Sequence, residues 1–224
     1  IVDIDQCNLC GECIPVCPAD AREMVGKTVT ASDLMREIEK DVLFFDESGG
    51  GVTFSGGEPL SQPQFLADML KACQEMDIHT AVDTCGFAPR SVLEAIAPFT
   101  RLFLFDLKMI DPQLHRKYTG VSNELIFSNL EWLSVQEAET IIRIPIIPGI
   151  NDTPENIEAT GKFLARLHKK WEVNLLPYHA AAHQKYHRFN ITYRLQNLSA
   201  PPAIQMNELT DKLASFGLRV FIGG

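Results

Sequence analysis

Short apolar runs of strand length alternate with longer amphipathic segments along most of this chain, and this alternation restricts its fold more than any other feature. Strands are predicted at 51–55, 78–84, 102–107, 140–147 and 173–176, with a short closing segment at 218–222. Helices are predicted at 31–44, 64–76, 90–97, 154–171 and 205–216, with further helical stretches before residue 135. Repeated strand–helix alternation predicts an α/β fold in which helices cover a parallel sheet.

Composition excludes several classes of protein. With 224 residues, 46% of them hydrophobic, the chain can bury a substantial core. Its net charge of -9 and its scattered Lys and Arg residues argue against a nucleic-acid partner. We expect no membrane association, because no apolar run approaches the roughly 20 residues that span a bilayer. The chain has no signal peptide and begins with Ile1 rather than Met, so we expect that its true start has been removed.

Four of the six cysteines cluster near the N-terminus. Cys7, Cys10, Cys13 and Cys17 have the spacing of the bacterial ferredoxin run, in which thiolates bind a [4Fe-4S] cluster. Zinc is the alternative metal, although the third cysteine and the closing Cys-Pro favour iron and sulfur. Such clustering fits a reducing compartment, so we predict a cytoplasmic location. In two-cluster ferredoxins the fourth cysteine ligates the other cluster, so we expect a second run upstream of Ile1.

Polar residues follow the predicted strands. They are Gly56-Gly57-Glu58, Asp83-Thr84, Asp106-Leu107-Lys108, Pro148-Gly149 and His179. The carboxyl ends of parallel strands carry the functional loops of α/β folds, so these residues are expected to converge on one rim. Each of them alone is equally well interpreted as a turn residue or a helix cap. Cys73 is predicted to be a buried structural thiol, whereas Cys85 is either structural or part of the site.

A series of motifs occurs in an order that resembles one family. The motifs are Ser55-Gly56-Gly57-Glu58-Pro59, Asp83-Thr84-Cys85-Gly86, Asp106-Leu107-Lys108, Arg143-Ile144-Pro145-Ile146-Ile147-Pro148-Gly149 and Leu175-Leu176-Pro177-Tyr178-His179. Together they resemble the activases of glycyl radical enzymes, which are radical S-adenosylmethionine enzymes, over nearly the whole chain. The cysteine run resembles the longer activases with auxiliary clusters. That likeness favours a dehydratase, decarboxylase or lyase of the glycyl radical class as the partner.

The resemblance implies a cofactor set and a role for each matching position. In this family a cluster held by a C-x-x-x-C-x-x-C motif cleaves S-adenosylmethionine reductively, and the resulting radical abstracts hydrogen from a glycine of the partner. An electron donor such as flavodoxin or ferredoxin is implied as a second partner. Gly56, Gly57 and Glu58 would meet the methionyl amino group. Asp106, Leu107 and Lys108 would line the cofactor, and His179 would contact the ribose.

The sequence leaves open the roles of the Asp83–Thr84 pair and of Arg143. Asp83 and Thr84 match a position where the family can hold a monovalent cation, an ion that oxygen ligands suit. Arg143 interrupts an apolar strand and should therefore be paired. Two interpretations of Arg143 carry similar weight. It either contacts the cofactor carboxylate or balances Asp106 or Glu58 inside the barrel.

The resemblance also implies the domain organisation. Residues 1–28 would be the remnant of a ferredoxin-like insert, and residues 29–224 an incomplete (β/α)6 partial TIM barrel of the radical SAM type without its first strand. No C-x-x-x-C-x-x-C motif occurs in the 224 residues, so we expect this chain alone to be deficient in clusters and inactive. The missing first strand should leave an exposed sheet edge, which carries a risk of aggregation.

Two other classes of protein remain as alternatives. An iron–sulfur electron-transfer protein accounts for the cysteine run but not for the residues at the strand ends. A zinc protein would use His179, His183 and His187, whose spacing of four residues places them on one face if the segment is helical, but no acidic partner is built in. Lys185 and Tyr186 match a pair common in the family, for which a solvated surface role and partner contact are both consistent.

Overall fold

Six parallel strands form the centre of the molecule, as the alternating sequence pattern predicts. A computed structural model describes residues 6–189, 191–195 and 198–224. The strands are Gly51–Phe54 (β1), His79–Thr84 (β2), Leu102–Asp106 (β3), Glu139–Ile146 (β4), Glu172–Pro177 (β5) and Arg219–Ile222 (β6). They pair in the order β1-β2-β3-β4-β5-β6, so β1 and β6 are the two edges. The five predicted strands and the closing segment are therefore confirmed.

Nine α-helices lie in the described part of the chain. They are Ala31–Ile38 (α1), Val42–Ser48 (α2), Pro63–Glu75 (α3), Arg90–Ile96 (α4), Pro112–Thr119 (α5), Glu124–Leu133 (α6), Pro154–Ala165 (α7), Ala182–Arg188 (α8) and Ala203–Ala214 (α9). The predicted single helix at 31–44 is wrong, because a 3-10 turn at Glu39–Asp41 separates α1 from α2. Apolar residues continue at helical spacing across this turn, so the pattern alone does not reveal the break.

The two faces of the sheet differ in burial because successive side chains of a strand point to opposite sides. On the outer face Phe103, Phe105, Ile142 and Ile144 are buried in the main core beneath the helices. The inner face carries half-buried residues, including Asp83, Asp106 and Arg143. A sheet covered by helices on its outer face and open on its inner face is a partial barrel, and its inner face is available for a ligand.

A second, smaller core fixes α1 against α3. Met35 and Ile38 of α1 pack with Met69 and Cys73 of α3 in this cluster, together with Ile78 before β2. Cys73 is completely buried, and burial raises the pKa of its thiol. It is therefore the structural thiol that the sequence predicts.

The cysteine-containing segment at 6–30 has turns and bends but no helix or strand. One ion pair, between exposed Glu23 and Arg188, joins it to α8. Among the residues that the structure describes, none of the helices is long and apolar enough to cross a bilayer.

Candidate functional site

The Glu58 carboxylate joins the loop after β1 to the end of β2. One of its oxygens accepts hydrogen bonds from the Leu60 N–H at 3.1 Å and the Thr84 hydroxyl at 2.6 Å. The other oxygen accepts from the Cys85 N–H at 3.0 Å and the Cys85 thiol at 2.9 Å. The two loops meet because β1 and β2 are parallel neighbours whose carboxyl ends lie at the same edge of the sheet.

Arg143 lies between two carboxylates on the inner face of the sheet. Its side chain donates to Asp106 from Nε at 3.1 Å and from Nη2 at 2.9 Å, and it also pairs with Asp83. Lys108 Nζ lies 3.9 Å from the other oxygen of Asp106. Asp83, Asp106 and Arg143 form a triad. Their side chains are about one-fifth exposed, so water screens their charges only partly. Arg143 thus pairs with Asp106, one of the two carboxylates inside the barrel that the sequence offers as its partner.

Asp106 has a pKa above its ordinary value. Burial raises this pKa most, whereas Arg143 and Lys108 lower it and the nearby Asp83 charge raises it further. An acid whose pKa is raised by folding binds its proton more tightly in the native state. Its contribution to stability is therefore present at low pH and is lost as the pH rises through the folded-state pKa.

This sign gives a pH-dependent prediction for Asp106. In urea titrations between pH 4 and pH 7, the free energy of unfolding of the parent should fall relative to that of Asp106→Asn as the pH rises. The amide variant does not titrate at this position, so the difference between the two curves isolates the carboxyl group. A parent that gains stability over Asp106→Asn on the same rise in pH would show that ion pairing with Arg143 outweighs burial.

Cys85 is held as a thiol and not as a thiolate. Burial, followed by the hydrogen bond to Glu58, raises the pKa of Cys85 to about 11. The thiol therefore keeps its proton near neutral pH and donates it to the Glu58 carboxylate. Since nucleophiles and metal ligands need the thiolate, the structure supports a hydrogen-bonding role for Cys85.

Glycine is favoured at this rim for two different physical reasons. Gly56 has φ +119°, which favours glycine, and among the described residues no atom beyond the chain neighbours lies within 4 Å of a Cβ built on Gly56 or Gly57. The space next to this turn is therefore open to a ligand. At Gly86 a Cβ would lie 2.2 Å from the Phe105 ring, so close packing on the core side excludes a side chain there.

Buried asparagines support the loops of the rim. Asn129 Nδ2 donates to the carbonyls of Gly86 and Ala88, both at 2.8 Å, and its Oδ1 accepts from Arg90 at 3.0 Å. Asn151 donates to the Lys108 carbonyl at 2.9 Å in the same manner. No sequence pattern indicates these roles, because the acceptors lie about 40 residues away along the chain.

Replacement of Asn129 by leucine should lower the free energy of unfolding by about 2 kcal/mol, because two buried carbonyls lose their donor. Leucine has a similar volume, so the change tests hydrogen bonding more than packing. Urea denaturation measures the effect, and Gln113→Leu on the exposed face of α5 is the matched control, expected within about 0.5 kcal/mol of the parent. Equal stability of the two variants would contradict the supporting role of Asn129.

A concavity of about 790 Å³ lies at the opposite end of the sheet. Its lining includes Asp77 and Thr80 near the start of β2, Arg101 before β3 and Glu139 at the start of β4. It is thus formed at the amino ends of the strands, away from Glu58 and Arg143. The hydrogen-bonded carboxylates and Arg143 described above lie instead at the carboxyl ends of the strands.

Comparison with known proteins identifies the family. The Radical SAM superfamily matches residues 15–164, and the 4Fe-4S binding domain matches residues 1–23. The trans-4-hydroxy-L-proline dehydratase activating enzyme of Clostridioides difficile is 40% identical over an alignment covering 98% of this chain and 83% of that protein. The chain belongs to the glycyl radical enzyme activating enzymes of the radical SAM superfamily.

Other activating enzymes support this assignment. The indoleacetate decarboxylase activating enzyme of Tractidigestivibacter scatoligenes is 35% identical, over 98% of this chain and 70% of that protein. A solved domain of pyruvate-formate lyase-activating enzyme from Bacteroides vulgatus has a TM-score of 0.67 and 36% identity, over 78% of this chain and 99% of that chain. Across eight activating enzymes that it matches, the chain spans between 60% and 83% of their length.

The cysteine segment offers thiols, the type of donor that binds iron–sulfur clusters. Cys7 and Cys10 are exposed, Cys13 and Cys17 are half-buried, and all four are free thiols. Hydrogen bonds from the N–H groups of Ala19 and Ala21 lower the pKa of Cys17, which favours the thiolate that binds iron. In the described residues, no three His, Cys, Asp or Glu side chains converge as a metal site.

Several residues predicted from the resemblance occupy places that limit their roles. Leu107 is buried, so only its main chain can line the inner face, and its N–H donates to the Arg143 carbonyl at 2.9 Å. The hydroxyl of Thr84 faces the buried side of β2, opposite Asp83, where it is bound to Glu58. Alternation along the strand therefore points these two side chains to opposite sides of β2.

The histidine positions after β5 are partly described. His179 is exposed and follows Tyr178, whose hydroxyl lies 2.8 Å from that of Tyr193. Burial, followed by this hydrogen bond, raises the pKa of Tyr193 to about 12. α8 begins after His179, so the three histidines do not share one helix. The side chains of His183 and His187 lie outside the described residues.

Lys185 and Tyr186 of α8 are exposed, and the Tyr186 ring packs on that of Tyr193 with centroids 4.9 Å apart. The aromatic member of this pair therefore has a packing role at the surface.

Proposed function

We propose that this protein uses reductive cleavage of S-adenosylmethionine to install a glycyl radical on a partner glycyl radical enzyme. The observation that carries the proposal is the gathering of Glu58, Asp83, Asp106 and Arg143 at the carboxyl ends of neighbouring strands in a chain of this family. The open space beside Gly56 and Gly57 supports a ligand at this rim.

Bound S-adenosylmethionine and an iron–sulfur cluster supply one-electron chemistry that amino-acid side chains lack. The residues of this chain would bind S-adenosylmethionine and orient it. The main chain of Gly56 and Gly57 would hold the methionyl amino group, and Asp106 with Lys108 would line the inner face. Arg143 fixes the Asp106 carboxylate with two hydrogen bonds, and His179 would contact the ribose.

The ferredoxin-like unit at 1–28, separate from the barrel at 29–224, would contribute Cys7, Cys10, Cys13 and Cys17 to auxiliary clusters, which a second cysteine run would complete. A monovalent cation near Asp83 would need a main-chain oxygen as a further ligand, because Arg143 and the Ser55 hydroxyl already occupy its carboxylate. Both assignments are part of the same proposal.

The catalytic cluster would require cysteines that these 224 residues do not offer in the C-x-x-x-C-x-x-C arrangement. We therefore infer that the chain alone does not cleave S-adenosylmethionine. Its partners would be a glycyl radical enzyme of the dehydratase, decarboxylase or lyase type and a reductant such as flavodoxin or ferredoxin, and its location would be cytoplasmic.

The experiment compares this 224-residue chain with a version extended upstream by a segment carrying C-x-x-x-C-x-x-C. After anaerobic loading with iron and sulfide, reductant and S-adenosylmethionine are added, and 5′-deoxyadenosine is measured by chromatography. The extended protein should release it and produce a glycyl radical signal in electron paramagnetic resonance with its partner, whereas the 224-residue chain should do neither.

The match of residues 1–23 to 4Fe-4S domains favours electron transfer as the second candidate function. An electron carrier would show a reduced cluster in the same experiment, without 5′-deoxyadenosine from either protein. That outcome would reject the activase proposal.

A further inference from the structure

The Gly56–Gly57 turn depends on its neighbours for its shape. In the part of the chain that the structure describes, neither the N–H nor the carbonyl of Gly56 or Gly57 takes part in a hydrogen bond. Gly56 also has φ +119°, in a region that glycine adopts freely. Two glycines without internal hydrogen bonds have large conformational entropy, so contacts at the two ends of the turn must select one conformation.

Both ends of the turn are attached to the same three consecutive residues at the end of β2. Before the turn, the Ser55 hydroxyl donates to Asp83 at 3.0 Å. After it, Glu58 accepts from the side chains of Thr84 and Cys85. The Thr84 hydroxyl in turn accepts from the Gly86 N–H at 2.9 Å, which fixes its direction.

The Glu58 carboxylate has no remaining capacity for a ligand while these contacts persist. A carboxylate offers about four acceptor positions. Two donors reach each of its oxygens, from Leu60 and Thr84 on one side and from the N–H and thiol of Cys85 on the other. The polar groups that the turn presents to a ligand are therefore the main-chain atoms of Gly56 and Gly57.

We propose that Thr84 and Cys85 are positioning residues that hold the Glu58 carboxylate and so fix the Gly56–Gly57 turn for the cofactor. This inference rests on the proposed function for the identity of the cofactor. It assigns Glu58 an internal structural role at the rim, and it gives the thiol of Cys85 a role as hydrogen-bond donor that serine can replace and alanine cannot.

The first test uses this chain without cofactor. Amide hydrogen exchange at Leu60, whose N–H donates to Glu58, reports the contact directly. Cys85→Ala and Thr84→Val should accelerate this exchange about tenfold, because each removes one hydrogen bond to a charged group. The matched controls Cys85→Ser and Thr84→Ser retain a donor and should stay within about twofold of the parent. Exchange at Leu130 in the core should be unchanged in all four, which excludes global unfolding.

The second test titrates S-adenosylmethionine into the same proteins and follows the amide signals of Gly56 and Gly57 by nuclear magnetic resonance. The apparent dissociation constant should rise about tenfold in the alanine and valine variants and recover in the serine variants. Unchanged Leu60 exchange in Cys85→Ala and Thr84→Val, or equal affinities in all variants, would overturn the inference. If exchange responds as expected but the parent shows no response to S-adenosylmethionine, the contact stands and its role in fixing the turn for the cofactor is rejected, whereas release of 5′-deoxyadenosine by the extended protein decides the proposed function separately.

Discussion

Replacement of Arg143 by methionine is expected to lower the free energy of unfolding by about 3 kcal/mol, because it leaves two partly buried carboxylates without their counter-ion. Asp83 and Asp106 both pair with this guanidinium, and all three side chains are about one-fifth exposed. Urea denaturation near neutral pH measures the loss. Arg143→Lys keeps the charge but not the planar fork, so it should lose about half as much.

A triple variant separates the charge effect from lost packing. If the loss in Arg143→Met arises from uncompensated charge, adding Asp83→Asn and Asp106→Asn should recover more than half of it. A loss below about 1 kcal/mol in Arg143→Met, or no recovery in the triple variant, would mean that the triad contributes little to the stability of the inner face.

Serine replacements in the cysteine run should nearly abolish iron binding. After anaerobic loading, Cys10→Ser and Cys13→Ser are each expected to retain about one-tenth or less of the parent's iron, because a thiolate ligand is replaced by a weaker alkoxide donor. Iron content and the absorbance of sulfur-to-iron charge transfer measure the result. Cys73→Ser is the matched control, since Cys73 is buried in the core between α1 and α3.

Retention of most of the iron by both Cys10→Ser and Cys13→Ser would contradict the assignment of the run. A tetrahedral zinc site in the parent, detected by metal analysis, would support the zinc alternative instead.

The strands were predictable because short, mostly apolar runs of strand length mark them, as at 102–107 and 140–147. Helix ends were less predictable. The helix predicted at 154–171 ends at Ala165, and Leu167 and Trp171 are buried beyond it. Burial of an apolar side chain does not require a helix, so a periodic pattern can continue past the last hydrogen-bonded turn.

The location of the site residues was predictable from the sequence, but the contacts between their side chains were not. Its residues follow the strands, and parallel strands bring their carboxyl ends together, so the common rim could be inferred from order alone. The partners of Arg143 lie 37 and 60 residues away, and that choice depends on strand order and register. The hydrogen bond from Cys85 to Glu58 was unpredictable for the same reason, because the two residues are 27 positions apart.

The central claim is spatial: S-adenosylmethionine binds at the carboxyl ends of the strands. Amide chemical shifts of the isotopically labelled chain, recorded with and without millimolar S-adenosylmethionine, test it most directly. The largest changes are predicted at Gly56, Gly57, Leu107 and Lys108. Changes confined to the opposite concavity, near Asp77 and Arg101, or no change at saturating cofactor, would contradict the account.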